Sequence, residues 1–349
     1  MDKKRQELAR EFWDRSEELG IYNEKIKIFS STKKSAKLIS GVPKIRRIFQ
    51  DIKSMKYFLY NKKYANHIKK IINERLKEDF TAHDITTNAI INKNKSARAV
   101  VIARQNGTIA GIDEALLFDL NIKKLKNDGD KVEKNDKILE INDNAKKILS
   151  YERTLLNIMQ RMSGIATSAN NIRKIINDDC FIAGTRKTLF GLMDKKAMSI
   201  GGALTHRLNL ADSILIKENH LHLLKNNIRK ALETAIKSNG TKYIEIEVKN
   251  EEEALEAAET IFGLSSNKLF AIMFDNMGAP IIKSSIIKIN NTLRNKNSIK
   301  KNKKIILFEA SGGINEKNIM EYSKTGVDVI SLGLLTHSVK AFDLSLEIL

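Results

Sequence analysis

The chain has 349 residues, 42% of them hydrophobic, with only two prolines, a composition that suits a soluble globular protein large enough for two domains or for one barrel with an appendage. Its one cysteine, Cys180, excludes an internal disulfide framework and any multi-cysteine zinc or iron–sulfur centre, and is read as a packing residue at the start of a strand. The formal charge is +19, and residues 1–70 carry 19 Lys/Arg against 8 Asp/Glu, which points either to an anionic partner such as RNA, DNA or a phosphorylated ligand or to a solvated helical surface.

In chain order, residues 1–62 read as a basic helical extension, with helical spacing over Glu7–Leu19 and Lys44–Tyr60 broken by FSSTKKSAK and by Gly-Val-Pro at 41–43. The opening MDKKRQELAREFW lacks the apolar core of a secretory signal, and no apolar run approaches the roughly 18 residues of a membrane span. A cytoplasmic enzyme is therefore expected. Residues 64–80 form the next expected helix, and from Asp84 the pattern turns to strand. Ser96–Arg104 is a strand, Gly107 and Gly111 mark turns, and Ile112–Asp119 is a short helix. The stretch NDGDKVEKNDKILEI resembles the turn and strand pattern of small biotinyl or lipoyl carrier domains, but no Met-Lys pair follows it, so it is read as scaffolding. Ala145–Asn177 is the longest expected helix, apolar largely on one face, with Arg153 near its start.

Beyond Cys180 one unit repeats: a short apolar run, a polar tip, then a helical stretch. The runs are Phe181–Ala183, Ser213–Ile216, Tyr243–Ile246, Leu269–Phe274, Ile305–Phe308 and Val327–Leu332. Their tips are Arg186/Lys187, Lys217, Glu247, Asp275, Glu309–Gly313 and Gly333, so cations come first, then acids, then glycines. That is the grammar of a βα barrel, whose chemistry gathers at the C-terminal ends of its strands. Such a rim suits a polyanionic substrate with a divalent cation.

Each tip carries a specific expectation beside a plainer one. In Thr185-Arg186-Lys187-Thr188 a guanidinium fork, an ammonium and two hydroxyls suit a carboxylate or phosphate, although basic surface turns are common. Gly201-Gly202 precedes His206-Arg207; the glycines either admit a ligand close to the backbone or end a helix. Lys217 needs an anion at a barrel mouth, from a substrate or from Glu247. Glu245 and Glu247 share one face of their strand, and Glu247 with Asp275 offers oxygens for Mg²⁺, which takes one or two protein carboxylates and fills its shell with water and phosphate; the plainer reading is a rim salt bridge. Ser311-Gly312-Gly313 and Leu332-Gly333-Leu334 are placed to cradle a phosphate with backbone N–H groups.

Taken together, ERTLLNIMQRMSGIAT, TRKT, GGxxxHR, LIKENH, EIEV, FDNM, EASGGI and SLGLLTHS resemble, in order and spacing, the quinolinate phosphoribosyltransferase family over about residues 64–349. The resemblance implies an α/β fold: an N-terminal α/β sandwich-like domain plus a C-terminal open α/β barrel, here preceded by the basic extension. Its boundaries would be 1–62 for the extension, 63–165 for the N-terminal domain with its linking helix, 166–338 for the barrel, and 339–349 for a C-terminal helix packing back on the N-terminal domain. It implies transfer of phosphoribosyl from 5-phosphoribosyl-1-pyrophosphate to quinolinate with decarboxylation, giving nicotinate mononucleotide, CO₂ and pyrophosphate for NAD synthesis.

The resemblance also distributes roles. Arg153 would reach the substrate carboxylates of the neighbouring subunit in a homodimer that shares its sites. Arg186, His206 and Arg207 would line the dicarboxylate pocket, with Thr185, Lys187 and Lys217 near carboxylate or phosphates. Glu247 and Asp275 would hold the ribose hydroxyls and Mg²⁺, and Lys187, Lys217, Glu247 and Asp275 form the catalytic set. Ser311, Gly312, Gly313, Leu332, Gly333 and Leu334 would bind the 5-phosphate. The family usually has Asp at Gly184, Gly at Ala203, Asn at Thr205 and Pro at Phe190, and glycines at Thr81 and His83; the changes at Gly184 and Thr205 are expected to loosen the presentation of Arg186 and His206. The rivals are a related phosphoribosyltransferase acting on nicotinate or another base, and a degenerate barrel with a nucleic-acid-binding extension. No membrane partner is expected.

Overall fold

The computed structural model describes residues 62–79, 84–176, 179–239, 241, 243–297 and 306–349. The two helices expected within residues 1–62, and the positions Thr81 and His83, lie outside them.

Helix α1 (Lys62–Asp79) buries Tyr64, Ile68, Ile72 and Leu76, a four-residue stripe that lays one face on the core. Where strand was expected from Asp84, a short helix α2 (Ile85–Ile90) forms instead. Asp84 is its N-cap, accepting the Thr87 N–H at 2.9 Å and the Thr87 hydroxyl. This local capping outweighs the β propensity of Ile-Thr-Thr.

Strand β1 (Ser96–Ala103) is central to a four-stranded antiparallel sheet whose order is β12-β1-β5-β3. Here β3 is Ile122–Lys124, β5 is Lys137–Asn144 and β12 is Leu344–Ile348. A two-stranded ribbon of β2 (Gly107–Thr108) and β4 (Lys131–Val132) and helix α3 (Ile112–Ala115) complete this domain. The C-terminal segment expected as a helix is therefore strand β12, antiparallel to β1 with Val101 opposite Leu346. Leu344, Leu346 and Ile348 alternate with Ser345 and Glu347, a period of two that an open sheet edge captures. The 31-residue helix α4 (Ala145–Ile175) runs from the last residue of β5 and buries Leu155, Met159, Met162, Ile165 and Ala169. It packs on both the antiparallel sheet and the barrel.

The six βα runs form one parallel sheet in the order β6-β11-β10-β9-β8-β7. Its strands are β6 (Phe181–Gly184), β7 (Ile214–Ile216), β8 (Tyr243–Val248), β9 (Leu269–Asp275), β10 (Ile306–Ser311) and β11 (Val329–Leu332). The helices are α5 (Leu192–Ile200), α6 (Glu218–Leu223), α7 (Ile228–Ala235), α8 (Glu251–Gly263), α9 (Ala279–Asn297), α10 (Ile319–Ser323) and α11 (Leu334–His337). Beyond β6, Leu204 makes a parallel bridge to Ala183, so the segment before His206 extends the wall. The β6 and β7 ends are not joined, and the barrel is open, as the resemblance implies.

Candidate active site

The strand ends carry the predicted residues except Arg153, which lies on α4. Past β6, the Thr185–Thr188 loop is closed on itself, with the Lys187 N–H donating to Thr185 Oγ1 at 3.1 Å. Arg186 and Lys187 are exposed. Gly184 is buried, and a Cβ built there would lie 2.0 Å from Met198 Sδ. Met198 of α5 thus fills the room that a larger side chain would need, so the loop is packed rather than loosened. Thr205 is likewise fully buried, its hydroxyl donating to the His206 carbonyl at 3.0 Å.

Two cations, Lys195 and Arg207, are buried near this loop. Lys195 of α5 is 1% exposed and donates its ammonium to the Thr205 carbonyl. Burial, with the charges of Arg186 and Arg207, pushes its pKa down to about 7. Arg207 is buried, its Nη1 near the Ser213 carbonyl at 3.5 Å.

His206 does not face the mouth. Its ring is 6% exposed, on a residue with φ of 56°, a left-handed conformation uncommon outside glycine. Nδ1 accepts the Arg207 backbone N–H at 2.8 Å, while Nε2 points at Glu245 Oε2 (3.0 Å) and Glu309 Oε2 (3.4 Å). Sequence reading placed His206 as a direct pocket residue; the structure turns it into the barrel floor. Both carboxylates are fully buried. Burial opposes a charged ring, but Glu245 and Glu309 outweigh it and push the His206 pKa up to about 9. Burial and the neighbouring Glu245 push Glu309 up to about 8, while His206 holds Glu245 down against burial, so at neutral pH one proton on His206 and one on Glu309 neutralise the group. Tyr243, beside them, is pushed well up by burial and by the same two carboxylates. Among the described residues, His206, Glu245 and Glu309 are a trio with ligand atoms within 4.8 Å of one another; the sequence reading assigned no metal to it.

Two residues along β8 the setting changes. Glu247 is 12% exposed and paired with Lys217, the residue that begins α6 and whose N–H donates to His220 Nδ1 at 2.9 Å. Burial pushes the Glu247 pKa up, Lys217 pulls it down, and Asp275 pushes it up again. Asp275 ends β9, with Asn276 Nδ2 donating to it at 3.1 Å. Glu247 and Asp275 line one cavity of about 140 Å³ with Glu218, Lys249 and Glu253. Two hard carboxylates that repel each other beside open space fit Mg²⁺.

The glycine turns close the ring. Gly312 and Gly313 have φ of 95° and 63°. A Cβ on Gly312 would meet Asn276 Oδ1 at 2.3 Å, so only glycine lets these two loops interlock. Leu332 ends β11, and Gly333 leads into α11, which begins at Leu334. Arg153 stands apart: its side chain is 59% exposed and its ion-pair contact is Glu152 at 3.8 Å.

Sequence reasoning missed the first turn of α5. Asp194 accepts both Arg161 Nε and Nη2 at 2.8 Å. Lys196 is fully buried, with Asp113 Oδ2 and Glu114 Oε1 at 2.9 Å and Asp128 Oδ2 at 3.1 Å. Three consecutive charges in a nine-residue helix read as a solvated face, and no spacing rule marks them as buried.

Comparison with known proteins agrees with this arrangement. Residues 84–163 match the family model of the quinolinate phosphoribosyl transferase N-terminal domain, and residues 165–347 that of its C-terminal domain. The probable carboxylating nicotinate-nucleotide pyrophosphorylase of Methanocaldococcus jannaschii is 41% identical over 290 residues, covering 80% of this chain and 96% of that protein. The chloroplastic carboxylating nicotinate-nucleotide pyrophosphorylase of Arabidopsis thaliana is 35% identical, over 80% of this chain and 82% of that one. Among solved structures, the nicotinate-nucleotide pyrophosphorylase of Francisella tularensis superposes with a TM-score of 0.71 at 32% identity, over 82% of this chain and 97% of that one.

Proposed function

Because this chain belongs to the quinolinate phosphoribosyl transferase family, we propose that it performs the carboxylating nicotinate-nucleotide pyrophosphorylase reaction, joining quinolinate to 5-phosphoribosyl-1-pyrophosphate in NAD synthesis. The observation that carries the reading is one parallel sheet whose β6 end leads into Arg186 and Lys187, with Arg207 in the segment that follows, and whose β8 and β9 ends set Glu247 and Asp275 on one cavity. A pyridine dicarboxylate needs the first, and a phosphoribosyl centre the second.

In this reading Arg186 and Arg207 grip the carboxylates, with Thr185 beside them, and His206 holds the Arg207 backbone from below. The ring nitrogen of quinolinate attacks the anomeric carbon as the bond to pyrophosphate breaks, and pyrophosphate leaves with the bonding pair. Positive charge builds on the ribose, and Glu247 and Asp275 stabilise it. Lys187 and Lys217 lie on the phosphate side, and Ser311, Gly312, Gly313 and Leu332–Leu334 hold the 5-phosphate. Mg²⁺ held by Glu247 and Asp275 would neutralise pyrophosphate charge when bound. The cationic ring then draws the electrons of its neighbouring C–CO₂⁻ bond, CO₂ departs, and the carbon takes a proton.

Arg153, an exposed cation on α4, would serve the partner's site in a homodimer. No helix among the described residues is long and apolar enough to cross a membrane.

Incubating the protein with quinolinate, phosphoribosyl pyrophosphate and Mg²⁺ is expected to yield nicotinate mononucleotide and CO₂ in equal amounts. Equal turnover of nicotinate without CO₂ release would sink the assignment. The shared site has its own test. Mixing inactive Arg153→Ala and Glu247→Gln proteins should restore about a quarter of wild-type activity, because half of randomly paired dimers hold one intact site. No restoration would refute the contribution of Arg153 in trans.

A further inference from the structure

The side chains that hold the cationic loop also hold the last glycine turn. Asp194 is fully buried, and its carboxylate takes donors from three residues on two segments. The Arg161 guanidinium of α4 binds it in a fork, with both contacts at 2.8 Å. The Thr188 hydroxyl donates to it from the cationic loop, and the Phe190 N–H lies at 3.4 Å. An acid in the first turn of α5 is also favoured by the helix dipole.

Arg161 then reaches further. Its Nη2 donates to the Thr336 carbonyl at 3.0 Å, and the Thr336 hydroxyl donates back to the Lys187 carbonyl at 2.6 Å. The ring Asp194–Arg161–Thr336–Lys187–Thr188 is closed. Across it, the Lys187 stem lies 3.5 Å from where a Cβ on Gly333 would sit. Phe190, which stands where the family usually has proline, is held between two guanidiniums: Arg161 Cζ at 5.3 Å and Arg75 Cζ of α1 at 5.4 Å from its ring centre.

A buried ion pair adds little net stability compared with well-packed apolar groups, and its best-attested use is to fix register. Here the register fixed is that of two loops that would bind different parts of the reacting pair. We propose that Asp194, Arg161 and Thr336 are positioning residues that lock the Thr185–Thr188 loop to the Gly333 turn, so that the dicarboxylate grip and the phosphate cradle are set as one unit. This rests on the assignment of those loops given above. None of the three needs to touch substrate. Their effect is to fix the distance between anion sites that must be filled together.

Thr336→Val, which deletes one hydroxyl at nearly constant volume, and Asp194→Asn test this. Hydrogen exchange on the substrate-free protein reads the clasp directly. Exchange at residues 185–190 is expected to rise in Thr336→Val although the substitution lies about 150 residues away in sequence, by a factor of about five for one lost hydrogen bond. In turnover, Thr336→Val is expected to raise KM for quinolinate by about fivefold with kcat within about twofold, and Asp194→Asn to raise KM for both substrates by more than about tenfold. A purely structural role would instead lower kcat through loss of folded protein at unchanged KM, and that result would overturn the proposal. If Asp194→Asn does not fold, Thr336→Val decides. Unchanged exchange at 185–190 with normal turnover overturns the clasp alone. A wild-type protein releasing no CO₂ from quinolinate overturns the site assignment while the exchange result still judges the clasp.

Discussion

Glu245 and Glu247 lie two residues apart on one face of one strand, yet they belong to different regions. Glu245 sits on the barrel floor with His206 and Glu309, where both carboxylates are fully buried and the imidazole faces them. Glu247 sits on the rim, paired with Lys217 and beside Asp275 at the edge of a cavity. The floor's charges answer to one another and set backbone geometry at Arg207. The rim's charges are left with a surplus of acid that a substrate or a cation can use. One pleat of depth separates architecture from chemistry.

Substitutions on both levels should break the two apart. Glu245→Ala leaves His206 and Glu309 without their partner in a dry site. It is expected to destabilise the protein by about 3–5 kcal/mol, the usual result of breaking a buried charged group, which chemical denaturation would measure. A loss below about 1 kcal/mol would show the floor to be wetter or looser than described. Glu247→Gln should do the reverse: kcat falls by about a hundredfold or more, as when one transition-state contact is lost, while the melting temperature stays within a few degrees. A large drop in stability there would erase the distinction between rim and floor.

The smallest effect is a slope. Glu309 binds its proton up to about pH 8 in the folded chain against 4.5 when unfolded. The folded state therefore holds an extra proton within that window, and stability falls as pH rises through it. His206, pushed up to about 9 from 6.5, acts in the same direction. Lys195, pushed down to about 7 from 10.5, acts in the opposite direction above pH 7. Burial also pushes the Asp128 carboxyl up to about 6, so the floor acts nearly alone only between about pH 6 and 7; there the wild-type melting temperature should decline with pH and Glu309→Gln should flatten that decline. Parallel slopes in the two proteins would mean that Glu309 is not the proton's holder.

What the sequence disclosed follows the same division. Rim residues announce themselves because a charge or glycine ending an apolar run has no packing reason to be there; Arg186, Lys217, Glu247, Asp275 and Gly312 were all legible for that reason. Alternation placed Glu245 beside Glu247, but a period of two carries no information about depth, and only the closing of the sheet buries one and not the other. His206 was legible as a site residue, but its contacts with Glu245 and Glu309 were not, because the three come from different βα units. Asp194, Lys195 and Lys196 were invisible, since their partners come from α4, from the segment before His206 and from the N-terminal domain. The final strand does not show in the local sequence because β1, its partner, lies more than 200 residues away.

Lys196 has a consequence for anyone who would cut this protein apart. Its ammonium belongs to the barrel, whereas Asp113, Glu114 and Asp128, and the Tyr64 hydroxyl that donates to Glu114 at 2.6 Å, belong to the other domain. Each half therefore carries a buried charge that is paired with the other half. A chimaera that keeps this barrel and borrows its N-terminal sheet from a relative inherits a cation with no counter-ion, unless the three acids travel with the lysine or the lysine is exchanged for an apolar residue. The two domains are tied as inheritable goods, and recombination must move them as a pair.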